Sequence, residues 1–158
     1  AIAIALMKKK KFSKFDFKRY HPSGSLANKL KTAGDLMLIK NKIPFVKEDE
    51  TMKKALKVLN LKKLGFIVII NKQGFTKGIF TDGDLKRLMQ KRNRFDHLKI
   101  KSLMIKNPYS VDKYTLASEV LIQMNKRKIT NVCVYNSENR QKTIGVIHIH
   151  NLVNNKLK

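Results

Sequence analysis

A chain of 158 residues, 42% of them apolar, is long enough for one ordinary domain or two small joined ones and can bury a real core. Its 35 Lys and Arg against 11 Asp and Glu give a formal charge of +24, a field that concentrates any anion without selecting one. The single Cys133 excludes an internal disulfide, no apolar run reaches the roughly 20 residues that cross a bilayer, and lysines scattered over every segment, with no Trp, argue against a nucleic-acid-binding face.

The opening "AIAIALMKKKKF" has its apolar part before its positive part, the reverse of a secretory signal, and no cleavage region follows. It reads as the end of a helix that begins upstream of the sequence shown, in preference to a membrane-surface anchor. Next, in "FKRYHPSGSLANKL" (residues 17–30), His21 and Pro22 precede a Ser23-Gly24-Ser25 turn and a helix containing Leu26 and Leu30. A histidine at such a junction can exchange protons near neutral pH, or bind an anion beside Lys18 and Arg19. No partner carboxylate stands near it, so His21 alone makes an incomplete site.

From there the chain is written twice. "IPFVKEDETMKKALKVLNLKKLGFIVIINKQGFTKGIFTDGDLKRLM" matches "NPYSVDKYTLASEVLIQMNKRKITNVCVYNSENRQKTIGVIHIHNLV" in residue type. Pro44 and Thr51 recur as Pro108 and Thr115, 64 positions on; Gly78, Leu85 and the lead-in "DLM" (35–37) recur as Gly145, Leu152 and "SLM" (102–104), 67 positions on. Each copy begins with an amphipathic helix. Met52, Ala55, Leu56 and Leu59 follow a Thr51 cap at helical spacing, and Leu116, Val120, Leu121 and Met124 follow Thr115. The buried-strand runs "FIVII" and "NVCVY" come next, the latter carrying Cys133 as a core filler suited to a reducing compartment. Polar turns "NKQG" and "NSENRQ" lead to second strands "TKGIF" and "IGVIH", and further helices start near Leu85 and Leu152. A unit of this size buries too little to stand alone, so two should pack sheet to sheet with a cleft between them.

Gly78 and Gly145, early in these second strands, permit close approach of a neighbouring strand or a ligand, or form a bulge. In "GIFTDGDL", Thr81 and Asp84 straddle a strand-to-helix junction with Asp82 and Gly83 between them. A Thr hydroxyl and helix-start N–H groups suit a phosphate, and an Asp carboxylate can accept from two sugar hydroxyls, the combination that holds a ribonucleotide. The competing reading is a plain cap, with Asp82 or Asp84 as N-cap and Thr81 ending the strand. In the second copy His148, His150 and Asn151 take the places of Thr81, Gly83 and Asp84. Asn151 can still bond a hydroxyl without bringing charge. Two histidines on alternate positions could grip a metal, but with no Cys nearby and no third ligand no metal site is expected.

These residues carry a resemblance. The paired units with "GIFTDGDL" resemble tandem cystathionine-β-synthase-type (CBS) domains, the Bateman module, which implies an α/β (α+β) fold of two β-α-β-β-α repeats packed through their sheets. "HPSGSLANKL", "TAGDLM", "IPFVKEDETMKKAL" and "GVIHIHNLV" together resemble the C-terminal half of bacterial arabinose-5-phosphate isomerases, sugar isomerases of the Kdo branch of lipopolysaccharide biosynthesis. The division implied is 1–33 as the end of a sugar-isomerase domain and linker, 34–96 as the first CBS repeat and 97–158 as the second. The family's catalytic histidine falls on His21, while its other catalytic groups belong to an isomerase domain with no counterpart here. The resemblance implies a cytoplasmic regulatory module, not catalytic by itself, that senses a small anionic ligand: an adenine or cytidine nucleotide, or CMP-Kdo. No cofactor is required. Thr81, Asp82, Asp84 and Gly78, with His148 and Asn151 as departures in the second copy, are the nucleotide-site candidates. The implied partners are a second copy, forming a homodimer through the helices after Thr51 and Thr115, and the isomerase domain in cis or in trans, where His21 would complete a site on another chain. A basic nucleic-acid or general interaction protein is the remaining alternative, favoured by the charge and opposed by its scatter.

Overall fold

The structure is a computed structural model and describes residues 30–154. His21, its turn and the opening helix lie outside the described residues.

The two copies fold as the repeat pattern predicts. In the first, α1 (Ala33–Leu36) precedes β1 (Phe45–Lys47), α2 (Met52–Lys62), β2 (Phe66–Ile70), β3 (Thr76–Thr81) and α3 (Asp82–Lys91). In the second, β4 (Ile105–Lys106) precedes β5 (Ser110–Asp112), α4 (Ala117–Arg127), β6 (Asn131–Asn136), β7 (Asn139–His148) and α5 (Ile149–Val153). Helix α2 buries Met52, Ala55 and Leu59, and α4 buries Ala117, Val120 and Met124, one stripe each at helical spacing. Both end on a lysine in the left-handed region, Lys63 at φ 53° and Lys128 at φ 54°, so the chain reverses sharply into the next strand. Thr51 is the N-cap of α2, whereas α4 is entered one residue later than expected, from Leu116. Thr115 is drawn off because its carbonyl accepts from Ala33 N–H at 2.8 Å.

Two sheets result. One has the order β1-β2-β3-β4, with β1 parallel to β2 and the other pairs antiparallel; the other runs β5-β6-β7 with the same senses. The apolar runs are explained by burial on both faces. Ile67 and Ile69 of β2 face the helices, while Phe66 and Val68 meet Cys133 and Val146 of the other sheet. Val132 and Val134 of β6 face α4 in the same manner. At one end of this contact the equivalent residues Thr76 and Thr143 share a hydrogen bond between their hydroxyls at 2.6 Å.

The lead-ins are exchanged. Segment 31–38 precedes the first repeat but packs on the second: Ala117 N–H donates to Lys31 O, Gly34 N–H to Lys113 O, and Leu38 pairs in both directions with Val146. Segment 96–106 returns the arrangement, with Met52 N–H donating to Leu98 O, Ile100 N–H to Glu50 O, and β4 pairing with β3.

This exchange decides the role of the two glycines. A Cβ on Gly145 would lie 2.3 Å from Met37 Sδ, and one on Gly78 would lie 2.6 Å from Ile105 O and 2.8 Å from Met104 Sδ. Of the approaches glycine would permit, the one found is to the methionine of the "DLM" or "SLM" lead-in. Gly78 is buried beneath Met104 and Ile105 and does not line the cleft described below, where it was expected among the nucleotide-site candidates. Strand β7 is also longer than "IGVIH": it pairs from Asn139, leaving Ser137 and Glu138 as the turn. Arg140, Gln141 and Lys142 are exposed there, so the extension is held by backbone pairing and carries no alternation to read.

Candidate functional site

Three short segments close on themselves in the same way. At the start of α3, Thr81 is the N-cap; its hydroxyl accepts from Asp84 N–H at 3.2 Å, and Asp84 Oδ2 accepts from Thr81 N–H at 2.9 Å and from the Thr81 hydroxyl at 2.7 Å. Thr32 and Asp35 repeat this at α1. At α5, His148 is the cap: its Nδ1 accepts from His150 N–H at 3.3 Å, and Asn151 Oδ1 accepts from His148 N–H at 3.0 Å. Thr81, the last residue of β3, is therefore also the cap, in place of Asp82 or Asp84.

Thr81 and His148 open on one crevice of about 530 Å3 between the repeats. The first repeat contributes Gly65, Ile79, Thr81, Asp82, Gly83 and Arg87; the second contributes Tyr109, Lys128, Ile129, Thr130, Asn131 and His148, and Leu64 and Ile105 also line it. Its apolar walls and few polar groups suit a flat organic ligand with an anionic end. Asp84 does not itself line the crevice. Its side chain is only 10% exposed and pairs with Arg87, which is 62% exposed and does line it. Asn151, bound to the His148 backbone, is absent from the lining as well.

Electrostatics differ between the halves. Arg87, Lys128 and Asp82 bring formal charge to the crevice, while the His148 ring, stacked at 4.8 Å on His150, is held below its ordinary pKa by burial and then by its neighbour. Asn131 Oδ1 is buried with no hydrogen-bond partner among the described residues. Burial pushes the Cys133 thiol up to about 12, so it stays protonated and packs between the sheets. Among the described residues no group of three His, Cys, Asp or Glu could hold a metal ion, and no helix is long and apolar enough to cross a membrane.

Sequence reasoning reached Thr81, Asp82 and His148 but missed Arg87, Lys128 and Asn131. Arg87 had a signal, since it lies one helical turn beyond Asp84. Lys128 and Asn131 had none, because their place in the crevice depends on how the second repeat is turned toward the first.

Two exchanged repeats around a shared crevice define a tandem-repeat binding module. The chain belongs to the CBS domain family, whose model matches residues 33–91 and 100–158. It is 35% identical over 159 residues to the arabinose 5-phosphate isomerase KdsD of Francisella tularensis, covering 100% of this chain and 48% of that protein. Against KdsD of Escherichia coli K12 the identity is 36% over 154 residues, covering 97% and 46%. The chain thus spans about half the length of the curated relatives it matches, and the matched half is their C-terminal CBS pair. Among solved structures, that of CBSX2 in complex with AMP aligns over 80% of this chain and 96% of its own, with a TM-score of 0.66 at 23% identity.

Proposed function

We propose that this chain is the regulatory half of an arabinose-5-phosphate isomerase, binding an adenine or cytidine nucleotide, or a nucleotide-linked sugar such as CMP-Kdo, in the crevice between its repeats. One observation carries the reading: the strand-to-helix junctions at Thr81 and His148, distant in sequence, line the same cavity. Asp84 would take the ribose hydroxyls. Arg87 and Lys128 supply positive charge for a phosphate. His148 and Asn151 bring no carboxylate, so the first repeat is the ribose side. The AMP in the CBSX2 structure supports a nucleotide as the ligand class.

Residues 1–33 are read as the end of the isomerase domain, with His21 as its contribution to catalysis. Isomerisation needs bases at two sugar carbons held in register, and His21 alone cannot supply them, so the chain by itself should not interconvert ribulose 5-phosphate and arabinose 5-phosphate. Measurable turnover would refute that. Leu61 on α2 and Ile122 on α4 are 76% and 63% exposed, an apolar surface suited to pairing two copies through these helices. A monomer in sedimentation would refute the pairing. The central test is calorimetry with AMP, ATP and CMP-Kdo on the native chain and on Asp84→Ala. Heat from one ligand, lost in the variant and persistent in moderate salt, is expected; silence from all three would overturn the reading, and steep loss with salt would point to polyanion attraction instead.

A further inference from the structure

Asp84 is offered as the ribose ligand, yet it is already engaged. An ionised carboxylate has about four acceptor positions. Asp84 Oδ2 takes two donors, Thr81 N–H and the Thr81 hydroxyl, and Oδ1 takes a third from Arg87 Nη2. One position remains, whereas a ribose diol donates two hydrogen bonds.

Access is closed at the same point. The Asp84 side chain is 10% exposed and does not line the crevice, while Arg87, which pairs with it, does. The Arg87 guanidinium lies over Gly83, with Nη1 3.5 Å from where a Cβ would stand. Being 62% exposed, it is free to swing away without disturbing the core. Among the described residues the second repeat shows no arginine in the equivalent place. Asn154 stands where Arg87 would be, 67 positions on, and the cap pair there, His148 with Asn151, carries no carboxylate.

We propose that Arg87 is the specificity-determining residue of the crevice: a latch on Asp84 that only a phosphorylated nucleoside releases. A phosphate offers the guanidinium a bidentate partner equal to or better than the carboxylate it leaves. Once Arg87 turns to the phosphate, both positions on Asp84 Oδ1 are vacant and the ribose diol is matched. A nucleoside without phosphate gives Arg87 nothing in exchange and meets a carboxylate that can take only one of its two hydroxyls. The crevice therefore reads phosphate and ribose together. This inference rests on the nucleotide reading above and adds the order in which its groups must be satisfied.

The test is calorimetry on the intact chain with AMP against adenosine, and CMP against cytidine, in the native protein and in Arg87→Gln and Arg87→Lys. In the native protein the monophosphate should bind at least about tenfold more tightly than its nucleoside. In Arg87→Gln the monophosphate should weaken while the nucleoside strengthens, bringing the ratio to within about threefold of unity. Arg87→Lys, which keeps the charge without the fork, should fall between. The opposite movement of two ligands on one variant is something misfolding cannot produce, since misfolding weakens both. An unchanged ratio in Arg87→Gln, or equal loss of both ligands, overturns the latch while leaving the nucleotide reading standing. No heat from any of the four ligands in the native protein overturns both.

Discussion

At the start of α3 the first repeat spends a carboxylate, Asp84, on its cap and sets Arg87 against it; at the start of α5 the second does the same with His148 and Asn151, and Asn154 stands where Arg87 would. Both junctions satisfy the same local need, helix-start N–H groups and a strand end to be joined. The difference shows which part of the pattern belongs to folding and which is available for chemistry. A neutral pair is enough for the cap, so the charge at Asp84 and Arg87 is additional to what the fold requires.

The largest effect should come from separating the two halves. Because segment 31–38 completes the second repeat and segment 96–106 the first, residues 30–96 alone and 97–154 alone each lack the lead-in that covers their own β-strands. Neither should give a cooperative unfolding transition in urea on its own. A sharp transition in either fragment would mean that the exchange is dispensable.

Next are the glycines under the exchanged methionines. At Gly78 a Cβ would meet a backbone oxygen, Ile105 O, at 2.6 Å, so Gly78→Ala should cost about 3 kcal/mol because β4 itself must shift. At Gly145 the nearest atoms are all of the Met37 side chain, Sδ at 2.3 Å and Cγ at 2.7 Å, which can rotate, and Cβ at 3.0 Å, which needs only a small shift. Gly145→Ala should therefore cost about 1 kcal/mol. Equal losses by chemical denaturation would show that Met37 is as fixed as a strand.

The caps should follow the same asymmetry more weakly. Asp84→Ala strands the Thr81 N–H and releases Arg87, for a loss of about 2 kcal/mol, against about 1 kcal/mol for Asn151→Ala. Thermal unfolding of the two variants side by side measures the gap. A larger loss at Asn151 would reverse the ranking of the two junctions.

The repeat, the strand runs and the sheet-to-sheet packing were legible because each is written in periodicity: "FIVII" alternates between helix-facing Ile67 and Ile69 and partner-facing Phe66 and Val68, and its mate "NVCVY" does likewise. The exchange of lead-ins was not legible. Met37 and Met104 are partly buried, and hydrophobic pattern does not say against which repeat each packs, since both repeats offer an equivalent glycine. At the site, Thr81 and His148 were found from residue type at a junction. The occupation of Asp84 by Arg87 was missed, because a residue's capacity to bond a ligand is visible in the sequence and its prior commitments are not.

The smallest effect is a pH dependence confined to the second repeat. His148 Nδ1 must stay unprotonated to accept from His150 N–H, and burial together with His150 lowers the ring's pKa from its ordinary 6.5. In the unfolded chain the same ring titrates near 6.5. Below that value the unfolded state therefore binds the proton more readily, and stability rises with pH. The cap's contribution is complete above 6.5 and is lost as the pH falls through the lower folded value. Thr81, the equivalent cap, does not titrate in this range. The native chain should then lose a little more stability between about pH 7.5 and about pH 5 than His148→Asn, a variant whose cap has no proton to gain. Since the ring is partly exposed, the difference should be modest, a degree or two in Tm. Parallel curves for the two proteins would show that His148 caps α5 through contacts indifferent to its charge.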